Sequence, residues 1–207
     1  HGAAFHQGDA MNIAIVKYNA GNIRSVLCAL HRLGYDAEVT DDPKKLETAD
    51  KVIFPGVGEA STAMAYLREK GLDTVLTSLK QPFLGICLGM QLMCATSEEH
   101  DTQTLGIFPI PTRKFSLSPE YKIPHMGWNT LQYQDDRLFS GLQGEVWCYF
   151  VHSYYVPLCE ATIASTEYGG QVFSSVLHKD NYYGCQFHPE KSGDVGEQLL
   201  RTFLEEL

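Results

Sequence analysis

A cysteine between two glycines carries the clearest chemical signal in the sequence. The run Gly-Ile-Cys-Leu-Gly occupies positions 85–89, at the end of an apolar stretch that begins at Pro82. A strand that ends at a nucleophile flanked by glycines, with a helix after it, is a nucleophile elbow, here with cysteine in the place of serine. Such a turn would hold Cys87 at the carboxyl edge of a sheet, where the helix N-terminus favours the reactive thiolate.

A histidine and a glutamate about one hundred residues later could supply the base that a cysteine nucleophile needs. His188, Pro189 and Glu190 follow a short apolar run at residues 182–186. Imidazole can take the thiol proton near neutral pH, and a carboxylate two residues on can hold the other ring nitrogen. Each motif alone has a structural alternative, a buried cysteine or a surface turn. Their occurrence in one chain favours catalysis.

A glycine-rich turn, Pro-Gly-Val-Gly at positions 55–58, presents backbone amides suited to an anion. A nucleotide phosphate loop is the competing interpretation. The turn lacks both the G-x-G-x-x-G pattern and the Gly-Lys-Ser/Thr of a P-loop. We therefore predict an oxyanion hole, whose amides would come from Val57, Gly58 and Leu88.

Apolar runs alternate with amphipathic stretches in the first half of the chain, and they predict the elements that hold these groups. Strands are predicted at residues 12–16, 51–54 and 82–86. Helices are predicted from Asn22 as the cap to residue 33, over residues 60–70, and from residue 88 to about residue 95. Strands that alternate with helices indicate a parallel sheet covered on both faces.

The second half contains short aromatic and β-branched runs between turn residues, which predict mostly strands. These strands are expected at residues 128–133, 146–155, 161–165, 172–177 and 182–186, before a final amphipathic helix at 195–207. The fold class is therefore α/β: one domain over residues 11–207, with a central, mostly parallel sheet flanked by helices and an additional smaller mixed β portion.

Composition excludes several classes of function. The formal charge of −9 opposes a nucleic-acid binder, which would need a concentrated basic face. No run approaches the ~20 apolar residues of a membrane helix. Residues 1–10 lack the layout of a signal peptide, and we interpret them as an expression remnant.

Cysteine and histidine usage indicates a reducing compartment and no metal site. The six cysteines form no C-x-x-C pair, and most are expected to be small buried hydrophobes, so we expect a cytoplasmic protein. His125 and His152 lack ligand spacing with any cysteine or carboxylate, which favours packing or interface roles. No metal or other cofactor is predicted.

Three ordered blocks together resemble the class I glutamine amidotransferases over residues 11–207. The blocks are Pro-Gly-Val-Gly at 55–58, Gly-Ile-Cys-Leu-Gly-Met-Gln at 85–91, and Phe-His-Pro-Glu at 187–190. The resemblance implies that family's fold and a catalytic triad of Cys87, His188 and Glu190. It also implies the reaction: Cys87 attacks the γ-amide of L-glutamine, ammonia leaves, and water hydrolyses the thioester.

Within that class the chain is most similar to the glutaminase subunits of imidazole glycerol phosphate synthases. The discriminating stretches are residues 123–129, residues 150–155 and the Lys-Ser pair at 191–192. The resemblance assigns contacts with glutamine to Gly58, Gln91, Glu99, Ser153 and Tyr154. Residues 18–25 also match a stretch that lies toward the cyclase in that family. Lys17 departs from the pattern, because an acidic residue is more usual there.

The resemblance implies a partner, a (β/α)8-barrel cyclase subunit that uses the ammonia in histidine biosynthesis. The alternative is the glutaminase subunit of another synthase, of the anthranilate or pyridoxal phosphate type. A regulatory subunit without catalysis is opposed by the presence of all three triad residues. A stand-alone hydrolase would act without any partner. Activity of the isolated chain stays open, because a partner could complete the oxyanion hole by reorienting the glycine turn.

Overall fold

An eight-stranded mixed sheet forms the centre of the computed structural model, which describes residues 10–19 and 23–207. Its strands, in spatial order, are β2 (Ala37–Thr40), β1 (Ile13–Val16), β3 (Lys51–Phe54), β4 (Phe83–Ile86), β14 (Tyr182–Cys185), β13 (Gln171–Lys179), β12 (Thr162–Tyr168) and β9 (Gln132–Tyr133). The first five strands run parallel, and the last three join antiparallel. The predicted parallel sheet is present.

Helices cover both faces of this sheet, as the alternation of strands and helices predicts. They are α1 (Arg24–Arg32), α2 (Pro43–Thr48), α3 (Ala60–Glu69), α4 (Leu72–Leu76), α5 (Leu88–Leu92) and α6 (Gly193–Glu206). In β1, Ile13 and Ile15 pack in one core with α1 and α6, whereas Ala14 and Val16 pack in a second core with α3 and α5. Burial on both faces explains why the inner strands β1, β3 and β4 are mostly apolar, whereas the edge strand β2 is not.

A smaller mixed β portion lies beside the main sheet and has two pieces. A two-stranded antiparallel sheet pairs β8 (His125–Thr130) with β10 (Trp147–His152). A four-stranded sheet has the order β11 (Tyr154–Tyr155), β7 (Pro111–Lys114), β5 (Thr96–Ser97) and β6 (Thr102–Gln103). Short 3-10 turns occur at Glu99–Asp101, Arg137–Phe139 and Pro189–Lys191. Among the helices of the described residues, none is long and apolar enough to cross a bilayer.

Several boundaries differ from the predicted ones for local reasons. Helix α5 ends at Leu92, earlier than predicted, because the backbones of residues 93–95 bond to residues 104–110 and leave the helix. β2, α2 and α4 were not predicted. They are short, and α2 buries only Leu46. The predicted cap Asn22 and residues 1–9 lie outside the described residues.

Candidate active site

The predicted elbow at Cys87 is present and is held by close backbone packing. Cys87 lies between β4 and α5 with a φ of +55°, and its amide donates to the Cys185 carbonyl at 2.8 Å. A Cβ on Gly89 would overlap the Phe54 carbonyl oxygen. Only glycine therefore permits the approach of α5 to β3 that this turn requires. The thiol is almost buried, at 5% exposure.

His188 and Glu190 form a buried pair directly behind the nucleophile. His188 follows β14, the parallel neighbour of the strand that carries Cys87. Its Nδ1 donates to Glu190 Oε2 at 2.8 Å, and both side chains are 3% exposed. The Ser192 hydroxyl donates to the His188 carbonyl and accepts from the Tyr149 amide, which ties this loop to β10. The imidazole is thus held in one orientation, with Nε2 on the side opposite the carboxylate.

The charge state of His188 is set by its two neighbours. Burial lowers the pKa of this imidazole, but interactions with Cys87 and Glu190 outweigh burial and raise the pKa above its ordinary value. A raised pKa favours the imidazolium at neutral pH. An imidazolium beside the thiol is the arrangement that stabilises a thiolate. The site can therefore hold a nucleophile and a proton donor together.

Two glutamines link the nucleophile to the strand that lines the cavity. Gln91 Nε2 donates to the Tyr154 carbonyl at 2.9 Å and to Gln186 Oε1 at 2.8 Å. Gln186 Nε2 in turn lies 3.8 Å from the Cys87 sulfur, which is within the range of a sulfur hydrogen bond. Sequence reasoning predicted Gln91 but not Gln186. The position of Gln186 at the end of β14, one strand from Cys87, was the available signal.

The Leu88 amide is bonded to the glycine turn and does not face the cavity as a free donor. The Leu88 amide, predicted to face an oxyanion, donates to the Gly56 carbonyl at 3.1 Å. Because a trans peptide points its N–H away from its carbonyl, the Val57 amide points away from Leu88. Gly58 has a φ of +119°, a backbone conformation that only glycine adopts at little energetic cost. The Tyr18 hydroxyl donates to the Pro55 carbonyl and so holds the start of the turn.

A cavity of about 500 Å³ opens above the nucleophile. It is lined by the predicted residues Val57, Gly58, Cys87, Leu88, Gln91, Glu99, Ser153 and Tyr154. Lys114, Ile123, Pro124, Val151 and His152 also line it and were not predicted to do so. All the predicted oxyanion and substrate residues thus meet in one cavity, and His188 and Glu190 lie behind it.

Glu99 lines the cavity from the 3-10 turn at Glu99–Asp101, and its side chain reaches the start of helix α3. Its Oε1 accepts the Ala60 amide at 2.8 Å, which satisfies one of the free amides at the helix N-terminus. Burial raises the pKa of this carboxyl, and the hydrogen bond from Ala60 opposes that effect. A carboxylate at a cavity wall suits an ammonium group of a ligand.

Two buried histidines are bonded to each other at the cavity wall, His152 in the lining and His125 behind it. His152 Nδ1 donates to the Tyr154 carbonyl at 2.7 Å, so its Nε2 accepts, and it does so from His125 Nδ1 at 2.9 Å. Burial lowers the pKa of His125 to about 4 and that of His152 to about 3, so both are neutral at pH 7. They have a packing role, one of the two roles predicted. Across residues 10–19 and 23–207, no group of three or more His, Cys, Asp or Glu could hold a metal ion.

Comparisons with known proteins show similarity to one family over nearly the whole chain. The family model for class-I glutamine amidotransferases matches residues 12–207. The chain is 56% identical to "Imidazole glycerol phosphate synthase subunit HisH" of Bacteroides fragilis and 55% identical to the protein of the same name from Bacteroides thetaiotaomicron; each match covers 94% of this chain and all of the relative. A solved glutamine amidotransferase structure is similar in fold, with a TM-score of 0.72 at 20% identity over 93% of this chain and 97% of that chain.

Proposed function

The chain belongs to the class-I glutamine amidotransferases, and from this premise we propose that it releases ammonia from L-glutamine through Cys87, His188 and Glu190. We further propose that the ammonia passes to a cyclase subunit; the names of its relatives, which are subunits of an imidazole glycerol phosphate synthase, support a partner subunit in such a synthase. The observation that carries the proposal is the buried bond between His188 and Glu190, directly behind a nucleophile elbow.

The reaction follows from the positions of these groups. The Cys87 thiolate attacks the γ-carboxamide carbon, and the carbonyl oxygen becomes an oxyanion. The imidazolium of His188 gives its proton to the departing nitrogen, and ammonia leaves a thioester on Cys87. Neutral His188 then takes a proton from water, whose oxygen attacks the thioester to give glutamate and the free thiolate. Glu190 holds the imidazole in orientation throughout.

An exposed apolar patch beside the cavity supports a docking surface for the cyclase. Met126 and Trp128 on β8 are 62% and 54% exposed, and Ile123, just before them, is also exposed. β8 pairs with β10 so that Met126 lies opposite Val151, a residue of the cavity wall. Large apolar side chains exposed together indicate a protein interface. A partner docked here would lie next to the site where ammonia forms.

The glycine turn supports control by that partner. In the structure the Leu88 amide donates its hydrogen bond to the Gly56 carbonyl, so it is not free to bind an oxyanion. Rotation of the peptide between Gly56 and Val57 would free Leu88 and turn the Val57 amide towards the substrate. The glycines at 56 and 58 make such a rotation inexpensive. The bound partner would favour the rotated state, in which two amides stabilise the oxyanion.

Ammonia release from glutamine tests the proposal, with the chain alone and with a barrel cyclase and its nucleotide ligand. We expect stimulation of about 10²–10³-fold, the usual effect of an oxyanion-hole donor. Equal turnover with and without the cyclase would contradict partner control. Stimulation by an anthranilate or pyridoxal phosphate synthase partner, with none from the cyclase, would assign the chain to another synthase. No turnover in any mixture would contradict the glutaminase assignment itself.

A further inference from the structure

We infer that Gln186 is a further catalytic residue, whose carboxamide N–H donates a hydrogen bond to the Cys87 sulfur and stabilises the thiolate. The inference deepens the proposed function and rests on it for the reaction that this thiolate performs. Gln186 directly follows β14, and its side chain is completely buried. Its Nε2 lies 3.8 Å from the sulfur, which makes it a donor to the reacting atom itself.

The orientation of the Gln186 carboxamide is determined by its neighbours. The Tyr154 carbonyl can only accept, so the Gln91 atom that lies 2.9 Å from it is the amide nitrogen Nε2. The same nitrogen lies 2.8 Å from the Gln186 side chain, where its second hydrogen needs an acceptor. The Gln186 atom at that contact is therefore Oε1, and Nε2 is directed at the sulfur.

Strand pairing holds Gln186 beside the nucleophile. Ile86 of β4 pairs with Cys185 of the parallel strand β14, and the nucleophile and Gln186 are the residues that follow. The Cys87 backbone amide donates to the Cys185 carbonyl at 2.8 Å. The Gln186 backbone amide donates to the Ser175 carbonyl of β13 at 2.9 Å. Buried strands thus fix the position of the carboxamide before a partner or a substrate binds.

A donor at this position has more effect on the thiolate than on the thiol. The Val151 carbonyl oxygen lies 3.7 Å from the sulfur, so the neutral thiol has an acceptor for its proton. After that proton is lost, the carbonyl is an electron-rich neighbour of a negative sulfur. Hydrogen bonds to a charged group are roughly twice as strong as those between neutral groups, and burial strengthens them further. The Gln186 N–H therefore favours the thiolate, in addition to the imidazolium of His188.

Several titratable groups surround the sulfur and contribute to its pH dependence. They are His188, Glu190 and Cys185 on the β14 side, Tyr18 after β1, and Glu99, Lys114 and His152 in the cavity lining. Burial raises the pKa of Tyr18 and of Cys185, so neither carries a charge at pH 7. Replacement of Gln186 removes none of these groups. A changed pH profile of the nucleophile can therefore be assigned to the lost donor.

Alkylation of Cys87 by iodoacetamide, measured against pH on the purified chain, tests the inference. The peptide that carries Cys87 is followed by mass spectrometry, because the exposed Cys28 also reacts. In Gln186→Met, which has no N–H to donate, we expect the acidic limb of the rate to move up by about one pH unit. The plateau rate should rise by up to about threefold, because a less stabilised thiolate is a stronger nucleophile. A loss of structure would lower that rate.

Gln186→Glu separates the donor from a packing role. It keeps the shape and the oxygen that accepts from Gln91, but it places a carboxylate oxygen beside the sulfur. The acidic limb should therefore move further than in Gln186→Met, whereas a packing role predicts the milder effect for Gln186→Glu. In the complex with the cyclase and its nucleotide ligand, Gln186→Met should lower kcat/KM for glutamine about tenfold on the acidic limb and less at higher pH.

Ser175→Ala is the matched control. Within residues 10–19 and 23–207 its buried hydroxyl has no hydrogen-bond partner, while its backbone carbonyl holds Gln186. The alkylation profile of this variant should match that of the wild type. An unmoved acidic limb in Gln186→Met, or a smaller movement in Gln186→Glu than in Gln186→Met, would overturn the inference. Absence of ammonia release by the wild-type complex would instead contradict the proposed function, while the alkylation profiles would still decide whether Gln186 donates to the thiolate.

Discussion

Two walls of the same cavity differ in how completely they are arranged for catalysis. On one wall, parallel neighbours β4 and β14 bring Cys87 beside His188, which is already bonded to a buried Glu190. On the other wall, the Pro55–Gly58 turn uses the Leu88 amide for an internal hydrogen bond. The first wall consists of side chains that follow directly after buried strands, and the second of peptide planes between glycines. Groups held by packed strands have one arrangement, whereas a glycine turn can change its peptide orientation at little energetic cost.

Removal of the nucleophile should have the largest effect. Cys87→Ala should lower glutaminase activity of the complex by at least about 10⁴-fold, because no other group can form the thioester. Cyclase activity with added ammonia should persist, which shows that the complex still assembles. Cys28→Ala, at an exposed thiol of α1, is the control and should retain full activity. Substantial glutaminase activity in Cys87→Ala would refute the assignment of this wall.

Loss of the orienting carboxylate should be nearly as severe. Glu190→Gln should lower kcat by on the order of 10³–10⁴-fold, because the imidazole loses its fixed tautomer and orientation. Glu190 helps to raise the pKa of His188, so its removal should lower that pKa. The alkaline limb of kcat/KM should therefore move to lower pH. Glu160→Gln, at an exposed position, should change neither quantity. An unshifted alkaline limb would mean that Glu190 does not act through His188.

A single methyl group added to the glycine turn should lower the glutaminase activity. Gly58→Ala should lower the glutaminase activity of the complex by roughly 10–100-fold, because a side chain at φ +119° is strained by about 1–3 kcal/mol. No atom lies within 4 Å of the added Cβ, so the effect is purely conformational. Gly34→Ala, at φ +94° and equally open, is the matched control. It should lose stability but not activity. Equal activity losses in both variants would show that the turn has no special role.

The histidine pair behind the cavity should make stability depend on pH. The folded state lowers the pKa of His125 to about 4 and of His152 to about 3, below the ordinary value of about 6.5. Below pH 6.5 the unfolded chain therefore binds more protons than the folded one. This contribution to stability is complete above that pH and is lost as the pH falls towards 4.

Urea unfolding at pH 7 and pH 5 measures this effect. We expect the free energy of unfolding to fall by about 1–2 kcal/mol for each of the two histidines, and the raised pKa of His188 to offset a smaller part of this fall, because it acts in the opposite direction. His31→Asn, which changes an exposed histidine, should show the same fall. An unchanged free energy would mean that the pair is charged, or exposed, in the folded protein. The hydrogen bonds from His125 to His152 and from His152 to the Tyr154 carbonyl would then hold the cavity wall less rigidly than the structure indicates.

The more rigid wall is also the one that the sequence predicted well. Cys87 and His188 each follow a short apolar run, and adjacent parallel strands bring such positions to one edge of a sheet. Glycine at 85 and 89 indicated the elbow because few other contexts require glycine on both sides of a cysteine. β3 was predicted with the bounds it has, and both sheet faces are covered as predicted.

The less rigid wall could not be predicted in the same detail. The glycines of the turn at 55–58 permit two peptide orientations, and no residue pattern says which one is occupied. Lys114 and His152 reach the cavity through the pairing of short strands, where the register depends on tertiary contacts. β2 and α2 were not predicted because each has few buried side chains. Their exposed polar residues show no clear hydrophobic periodicity.

The parallel pairing of β4 with β14 also determines when the enzyme can first become reactive during synthesis. These neighbouring strands are separated by about one hundred residues of chain. A chain growing on the ribosome therefore carries Cys87 for several seconds before His188 exists, at synthesis rates of about 5–20 residues per second. During that interval the thiol has no base and no buried carboxylate behind it. Because β4 and β14 can pair only late in synthesis, Cys87 gains its base only when most of the domain has been made.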